Sequence, residues 1–228
     1  MATYVLIPGA GGDGWQWHLL VRELESRGHA AIAVTLPAGD DRAGWSEYAD
    51  AAVEAIGERR ELVVVAQSLA GFTAPLVCER LPVDLLVLLN AMIPMPGETG
   101  DEWWGTTGSG PAMIEGLAAL GLPPEAANDD KLVYFHDVPA GVVDEAYARG
   151  EPVQSMTPMR QPFALDSWPD VPTRVIAGRD DRLFPVAFQR RVARERLGMD
   201  VDELPGGHML ALSHPVELAD RLEAYVDG

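Results

Sequence analysis

The chain has 228 residues, 47% hydrophobic and 23% charged, the proportions of an ordinary globular protein able to bury a full layered core as one domain. Seventeen basic against thirty-five acidic residues give a formal charge of −18. That balance argues against nucleic acid and anionic membranes, both of which demand a basic surface. The single cysteine, Cys78, excludes an internal disulfide and any multi-cysteine zinc site.

Short apolar runs fall at Tyr4–Ile7, Ala30–Thr35, Leu62–Ala66, Leu85–Leu89 and Arg174–Ala177, with a weaker one at Val201–Leu204. Most are continuous rather than alternating, as expected of strands covered on both faces in a parallel sheet. Segments of helical period lie between them, at Trp17–Ser26, Tyr48–Gly57, Leu69–Leu81 and Pro185–Leu197. In the second, Ala49, Ala52, Val53 and Ile56 share one face. The closing segment puts Leu218, Ala219, Leu222, Tyr225 and Val226 on one stripe, with Ser213 as the predicted N-cap and Pro215 in the first turn. This repetition of strand and helix predicts an α/β fold with a doubly wound, mainly parallel six-stranded sheet flanked by helices.

Between about Met92 and Trp168 the rhythm breaks, and the sequence turns rich in Gly, Pro, Met and Trp. A structureless loop of that length does not suit a compact domain. The expected organisation is therefore a core formed by residues 1–91 and 169–228, with 92–168 as a small helical lid. Pro111–Leu120 and Val142–Ala148 are its candidate helices. The insertion leaves the sheet at the carboxyl edge, where such sheets bind ligands. The N-terminus lacks a basic start, and no stretch approaches the ~20 apolar residues of a membrane span. The cytoplasm is the expected compartment, and the oligomeric state stays open, a homodimer included.

Four segments carry chemistry. In Val63-Val64-Val65-Ala66-Gln67-Ser68-Leu69-Ala70-Gly71 a β-rich run meets a serine between small residues and then a helix. A serine projected from a tight strand-to-helix turn needs small neighbours at −2 and +2, here Ala66 and Ala70. Such a turn exposes Ser68 Oγ and directs the Leu69 N–H at an oxyanion, the plain alternative being a serine that caps a core helix. Leu6-Ile7-Pro8-Gly9-Ala10-Gly11-Gly12-Asp13-Gly14-Trp15 opens a strand into a glycine-rich loop, whose Ala10 N–H offers a second donor. Gly9, Gly11 and Gly14 also fit a dinucleotide fingerprint. The next strand, however, ends at Thr35-Leu36-Pro37 without the acid that ribose binding wants.

Val175–Pro185 is a buried strand with Asp180 and Asp181 at its carboxyl end, and Leu204–Met209 carries His208 on a glycine turn after the last run. Alone, an acidic loop is usually solvated and a single histidine structural. Together, the chain order Ser68, Asp181, His208 over successive strand ends is that of the α/β-hydrolase triad.

On these residues the chain resembles the α/β-hydrolase superfamily along nearly its whole length. It is most similar to the compact plant-type methylesterase and hydroxynitrile lyase group. Pro8 stands where that group has a histidine, while Gly9, Ala10, Trp15 and Trp17 retain the rest of its loop. The group's acid stands three residues after a small turn residue and four before a proline, which favours Asp181, counted from Gly178 and Pro185, over Asp180. Phe188-Gln189 also suits the pattern. Its lyases carry a threonine in the loop and a lysine after the histidine to handle cyanide. Here Ala10 and Met209 stand there, so the resemblance implies the esterase-like branch.

The implied activity is hydrolysis of small esters by Ser68, His208 and Asp181, with Ala10 and Leu69 as backbone oxyanion donors and no metal or cofactor. Trp103, Trp104, Met156, Met159, Met209 and His18 are candidate pocket residues. A carbon–carbon lyase, a cofactor-free oxygenase and a non-catalytic receptor are the alternatives on the same scaffold. His29, His136 and His214 read as structural, Cys78 as a small buried hydrophobe, and Asp40-Asp41 as a solvated loop.

Overall fold

The continuous apolar runs become strands buried on both faces. In the computed structural model, which describes residues 1–227, β1 (Thr3–Ile7), β2 (Ala30–Ala33), β3 (Leu62–Gln67), β4 (Leu85–Leu89), β5 (Thr173–Gly178) and β6 (Asp202–Leu204) form one sheet. Its order is β2-β1-β3-β4-β5-β6, and every pairing is parallel. The two-residue period of a strand splits each run between two cores. Val5, Ile7, Val64, Ala66, Leu86 and Leu88 face one core, while Tyr4, Leu6, Val63, Val65, Val87 and Leu89 face the other.

Helices α1 (His18–Ser26) and α2 (Trp45–Ile56) lie on opposite faces. The first buries Leu20 and Leu24, and the second Trp45, Ala49, Ala52 and Ile56. The run from Leu69 to Leu81 does not form one helix. A 3-10 turn over Ser68–Gly71 precedes α3 (Ala74–Arg80). Gly71 passes so close to the next loop that a Cβ on it would sit 1.7 Å from the Met92 carbonyl oxygen, and Pro75 has no N–H to continue a helix through this point.

Four helices lie between β4 and β5: α4 (Gly100–Thr107), α5 (Ser109–Ala119), α6 (Asp130–Val133) and α7 (Ala140–Ala148). The chain ends with α8 (Val186–Leu197), α9 (Leu210–Ser213) and α10 (Pro215–Asp227). Ser213 does not cap α10, because it belongs to α9. His214 precedes Pro215, and its carbonyl accepts from Leu218 N at 3.0 Å. Among the described residues no helix is long and apolar enough to cross a membrane.

A buried ion pair fastens the inserted segment to α8. Arg196 Nη1 meets a Glu98 oxygen, Nη2 donates to the other at 2.9 Å, and Thr106 Oγ1 also donates to this carboxylate. Burial opposes the charge on Glu98, but hydrogen bonds from Arg196, Thr106 and Met95 N outweigh it and hold the carboxyl below its usual range. A depressed carboxyl stabilises the fold above its unfolded value and loses that contribution as pH falls through the folded one. Glu98→Gln is therefore expected to cost about 3 kcal/mol at neutral pH. In urea titrations the gap from wild type should narrow on acidification to pH ~3, well below the ordinary glutamate value. A gap of constant width would contradict the assignment.

Candidate active site

The carboxyl ends of β1, β3, β4, β5 and β6 bring the singled-out segments together. Ser68 follows β3 with φ 53°, a left-handed conformation that a non-glycine residue adopts only under local constraint. It is half-buried, and among the described residues its Oγ makes no hydrogen bond. The glycine loop after β1 lies against it: a Cβ on Gly9 would be 2.9 Å from Ser68 Cβ and 2.6 Å from Gln67 Oε1. Neither Ala10 N–H nor Leu69 N–H has a partner among the described residues. Backbone donors in that condition beside an unbonded hydroxyl are available to a ligand anion.

His208 and Asp181 are joined. The imidazole Nδ1 donates to Asp181 Oδ2 at 2.8 Å, with His208 2% and Asp181 4% exposed. Asp181 Oδ1 accepts from Leu183 N at 2.8 Å and Phe184 N at 2.9 Å, while Gln189 Nε2 reaches Oδ2 at 3.3 Å. Because a carboxylate only accepts, the neutral imidazole carries its proton on Nδ1 and its lone pair on Nε2. Asp180 does different work, accepting from Gly206 N at 3.1 Å through Oδ2.

Three residues of the site were given no role by the sequence, although Gln67 stands inside the serine's segment. Asn90, fully buried at φ 46°, accepts from Gly178 N at 2.7 Å and Gln189 Nε2 at 3.2 Å. It donates to the carbonyls of Gly207 at 3.1 Å and His208 at 3.0 Å. Gln67 accepts from Gly9 N at 3.2 Å and Gln16 Nε2 at 3.1 Å and donates to the His208 carbonyl at 3.4 Å. It thus ties the serine's strand to both flanking loops. Gln154, from the inserted segment, accepts from Gly11 N at 3.0 Å. A polar residue at the carboxyl end of a buried strand was the available signal for Asn90 and Gln67.

Asn90→Ala is expected to lower stability by about 3 kcal/mol or more, because it orphans the buried Gly178 N–H and the Gly207 carbonyl and leaves an alanine in left-handed backbone. Asn90→Gly loses the same bonds and is spared only the strain of the alanine, so it should remain within about 1 kcal/mol of the alanine variant. Denaturant midpoints of the pair check this, and a stable glycine variant would show that strain relief matters more than the bonds.

Aromatic rings edge the histidine: Phe184 lies 5.4 Å and Tyr134 5.6 Å from its ring, both T-shaped. Burial, with Asp130 and Asp181 nearby, pushes the Tyr134 phenol up to about 12. Trp104, 36% exposed, lies 5.8 Å from Phe184. Trp103 is fully buried behind it, donating to the Ile93 carbonyl. Met159 is buried against Gly100, and Met156 is exposed on a segment fastened to Ala38 and Asp41 through Ser155. Met209 Sδ is 4.0 Å from Gln67 Nε2. His18 stacks on Trp15 at 4.6 Å and donates from Nδ1 to its carbonyl. His29 is held between Ala2 N and Glu223. Burial pushes the Cys78 thiol up to about 12, leaving little thiolate for nucleophilic chemistry. No cluster of potential metal ligands occurs among the described residues.

A six-stranded parallel sheet with a strained serine after β3, an acid after β5 and a histidine after β6 is the plan of one large class of proteins, and the chain belongs to the alpha/beta hydrolase family, whose profile matches residues 4–221. It is 26% identical to an alpha-hydroxynitrile lyase of Arabidopsis thaliana over 97% of this chain and 95% of that protein. Polyneuridine aldehyde esterase has the same fold, with a TM-score of 0.80, 21% identity and full coverage of both chains. So does a pyrethroid hydrolase from Sphingobium faniae JZ-2, with a TM-score of 0.76 and 21% identity over 100% of this chain and 98% of that one.

Proposed function

We propose that the protein is a cytoplasmic serine hydrolase, a carboxylesterase for small esters, with Ser68 as nucleophile, His208 as base and Asp181 as its orienting acid. The observation that carries this reading is the buried 2.8 Å bond from His208 Nδ1 to Asp181 Oδ2, with a serine in left-handed backbone directly after Gln67, whose amide donates to the His208 carbonyl. With Nδ1 protonated, Nε2 takes the Ser68 proton as Oγ attacks the ester carbonyl, then gives it to the leaving alcohol. That hydroxyl–imidazole bond forms as substrate seats, as in many enzymes whose catalytic contacts tighten only in the complex. The free N–H groups of Ala10 and Leu69 receive the oxyanion, each such donor typically worth ~2.7–4 kcal/mol in the transition state. Water then cleaves the acyl-enzyme by the same route. The chemistry calls for no metal or organic cofactor.

Residues 92–168 act as the lid. Trp104, Phe184, Tyr134 and Met209 offer an apolar wall that suits small apolar acyl or alcohol groups, with Trp103 and Met159 packed behind it. A second reading, carbon–carbon cleavage, is favoured by the likeness to the Arabidopsis lyase. Against it, the side chain after His208 is Met209, which brings no ammonium to a departing cyanide. The test is purified protein against p-nitrophenyl acetate and butyrate, mandelonitrile and a serine-directed phosphonate. Ester turnover with phosphonate labelling of Ser68 supports the esterase. Cyanide release without ester turnover selects the lyase, and inertness to all four selects a receptor.

A further inference from the structure

Residues 132–137, between β4 and β5, contact the carbonyl before Asp181, the side chain after it and the N–H just before His208. His136 Nε2 lies 3.0 Å from the Asp180 carbonyl, and since a carbonyl only accepts, Nε2 is the donor. Arg182 Nη1 donates to the Leu132 carbonyl at 2.9 Å. Asp137 Oδ2 accepts from Gly207 N at 2.6 Å. The approach is close enough that a Cβ on Gly207 would lie 2.6 Å from His136 Nε2 and 2.8 Å from Asp137 Oδ1. Asp180 closes the circuit, its N–H donating to the Gly206 carbonyl at 2.9 Å and its Oδ2 accepting from Gly206 N. The ring of Tyr134 edges the imidazole itself. His136 and Asp137 side chains are only 10% and 16% exposed, and Asp137 Oδ1 is buried without a hydrogen-bond partner. Among the described residues, Asp137 Oδ1 has only a 4.0 Å ion contact with His136 Nε2, while Oδ2, 3.7 Å from His214 Nδ1, holds the N–H of the residue before His208, so this carboxylate spends its one hydrogen bond on the histidine's loop.

We infer that His136 and Asp137 are positioning residues: through Asp180 and Gly207 they hold the Asp181–His208 pair in register, so that seating of the inserted segment sets the geometry of the pair. The inference rests on the esterase reading for its kinetic consequence, though not for its structural one. Neither residue needs to touch substrate, so their loss falls on kcat rather than KM. A carboxamide oxygen can still accept from Gly207 N, so asparagine restores what alanine removes.

The experiment compares Asp137→Ala, Asp137→Asn and His136→Ala with wild type on p-nitrophenyl butyrate, alongside melting temperatures. Displacing a reacting group by a fraction of an ångström should lower kcat of Asp137→Ala and His136→Ala about 10- to 100-fold, with KM within about threefold. Asp137→Asn should recover to within about threefold of wild type. A second readout needs no substrate: the low-field proton resonance of His208 Nδ1, identified by its loss in Asp181→Asn, broadens in Asp137→Ala and persists in Asp137→Asn. Wild-type kcat in Asp137→Ala, equal losses in the alanine and asparagine variants, or a change confined to KM each overturns the inference. If wild type turns over no ester while the resonance behaves as described, the esterase reading fails and the positioning role stands. An unperturbed resonance in a folded Asp137→Ala sinks the positioning role whatever the activity.

Discussion

Ser68→Ala is expected to reduce kcat for p-nitrophenyl esters by about 10⁴- to 10⁶-fold, the range seen when a nucleophile is removed from an otherwise intact hydrolytic site. The residue of activity comes from what the substitution leaves in place, the N–H groups of Ala10 and Leu69 and the bound water that His208 can still activate. The fold should survive. Serine and alanine bear the same strain at φ 53°, the neighbouring Ala66 and Ala70 are unchanged, and Ser68 Oγ has no hydrogen bond to lose among the described residues. Steady-state kinetics with a melting curve and phosphonate labelling decide the matter. Hydrolysis that persists in the alanine variant would remove Ser68 as nucleophile.

Asp181→Asn should cost about 10⁴-fold in kcat, and the reason lies in which oxygen does what. Oδ1 accepts from two backbone N–H groups, those of Leu183 and Phe184. An asparagine must keep its oxygen on them and turn its NH₂ toward His208. Two donors then face each other, the imidazole changes tautomer, and Nε2 presents a proton where Ser68 needs an acceptor. Asp180→Asn meets no such conflict, because an amide oxygen still accepts from Gly206 N. It should stay within about tenfold of wild type, since the reacting groups are at most slightly displaced. A measured order reversed between the two substitutions would make Asp180 the acid.

Much of this was readable in the chain because buried parallel strands write themselves as continuous apolar runs, and because a strained elbow admits only small residues around Ser68. The preference for Asp181 over Asp180 came only from the spacing of the group that the chain resembles. What periodicity cannot see are polar residues whose partners lie far away in sequence: Asn90 bonds to Gly178 and His208, and Gln67 to Gly9 and His208. Helix α4 was missed for a different reason. Its Gly, Trp and Thr residues favour helix weakly, yet Thr99 and Glu102 form a reciprocal capping box, Thr99 Oγ1 accepting from Glu102 N at 3.1 Å and Glu102 Oε2 from Thr99 N at 2.9 Å. That signature stood in the sequence. The break before α3 was legible only in part, since Pro75 warned of it but the tight passage of Gly71 past Met92 is a tertiary fact.

The region between β4 and β5 is stitched to the rest of the molecule at Gly11 through Gln154, at α8 through Glu98, and at Asp180 and Gly207 through His136 and Asp137. An engineer who transplants this region between relatives would therefore move these anchor points, and those that Ser155 makes to Ala38 and Asp41, along with it. Chimeras should stay folded and active only when donor and recipient agree at both ends of each stitch, which makes such pairs, rather than overall likeness, the compatibility rule for grafting.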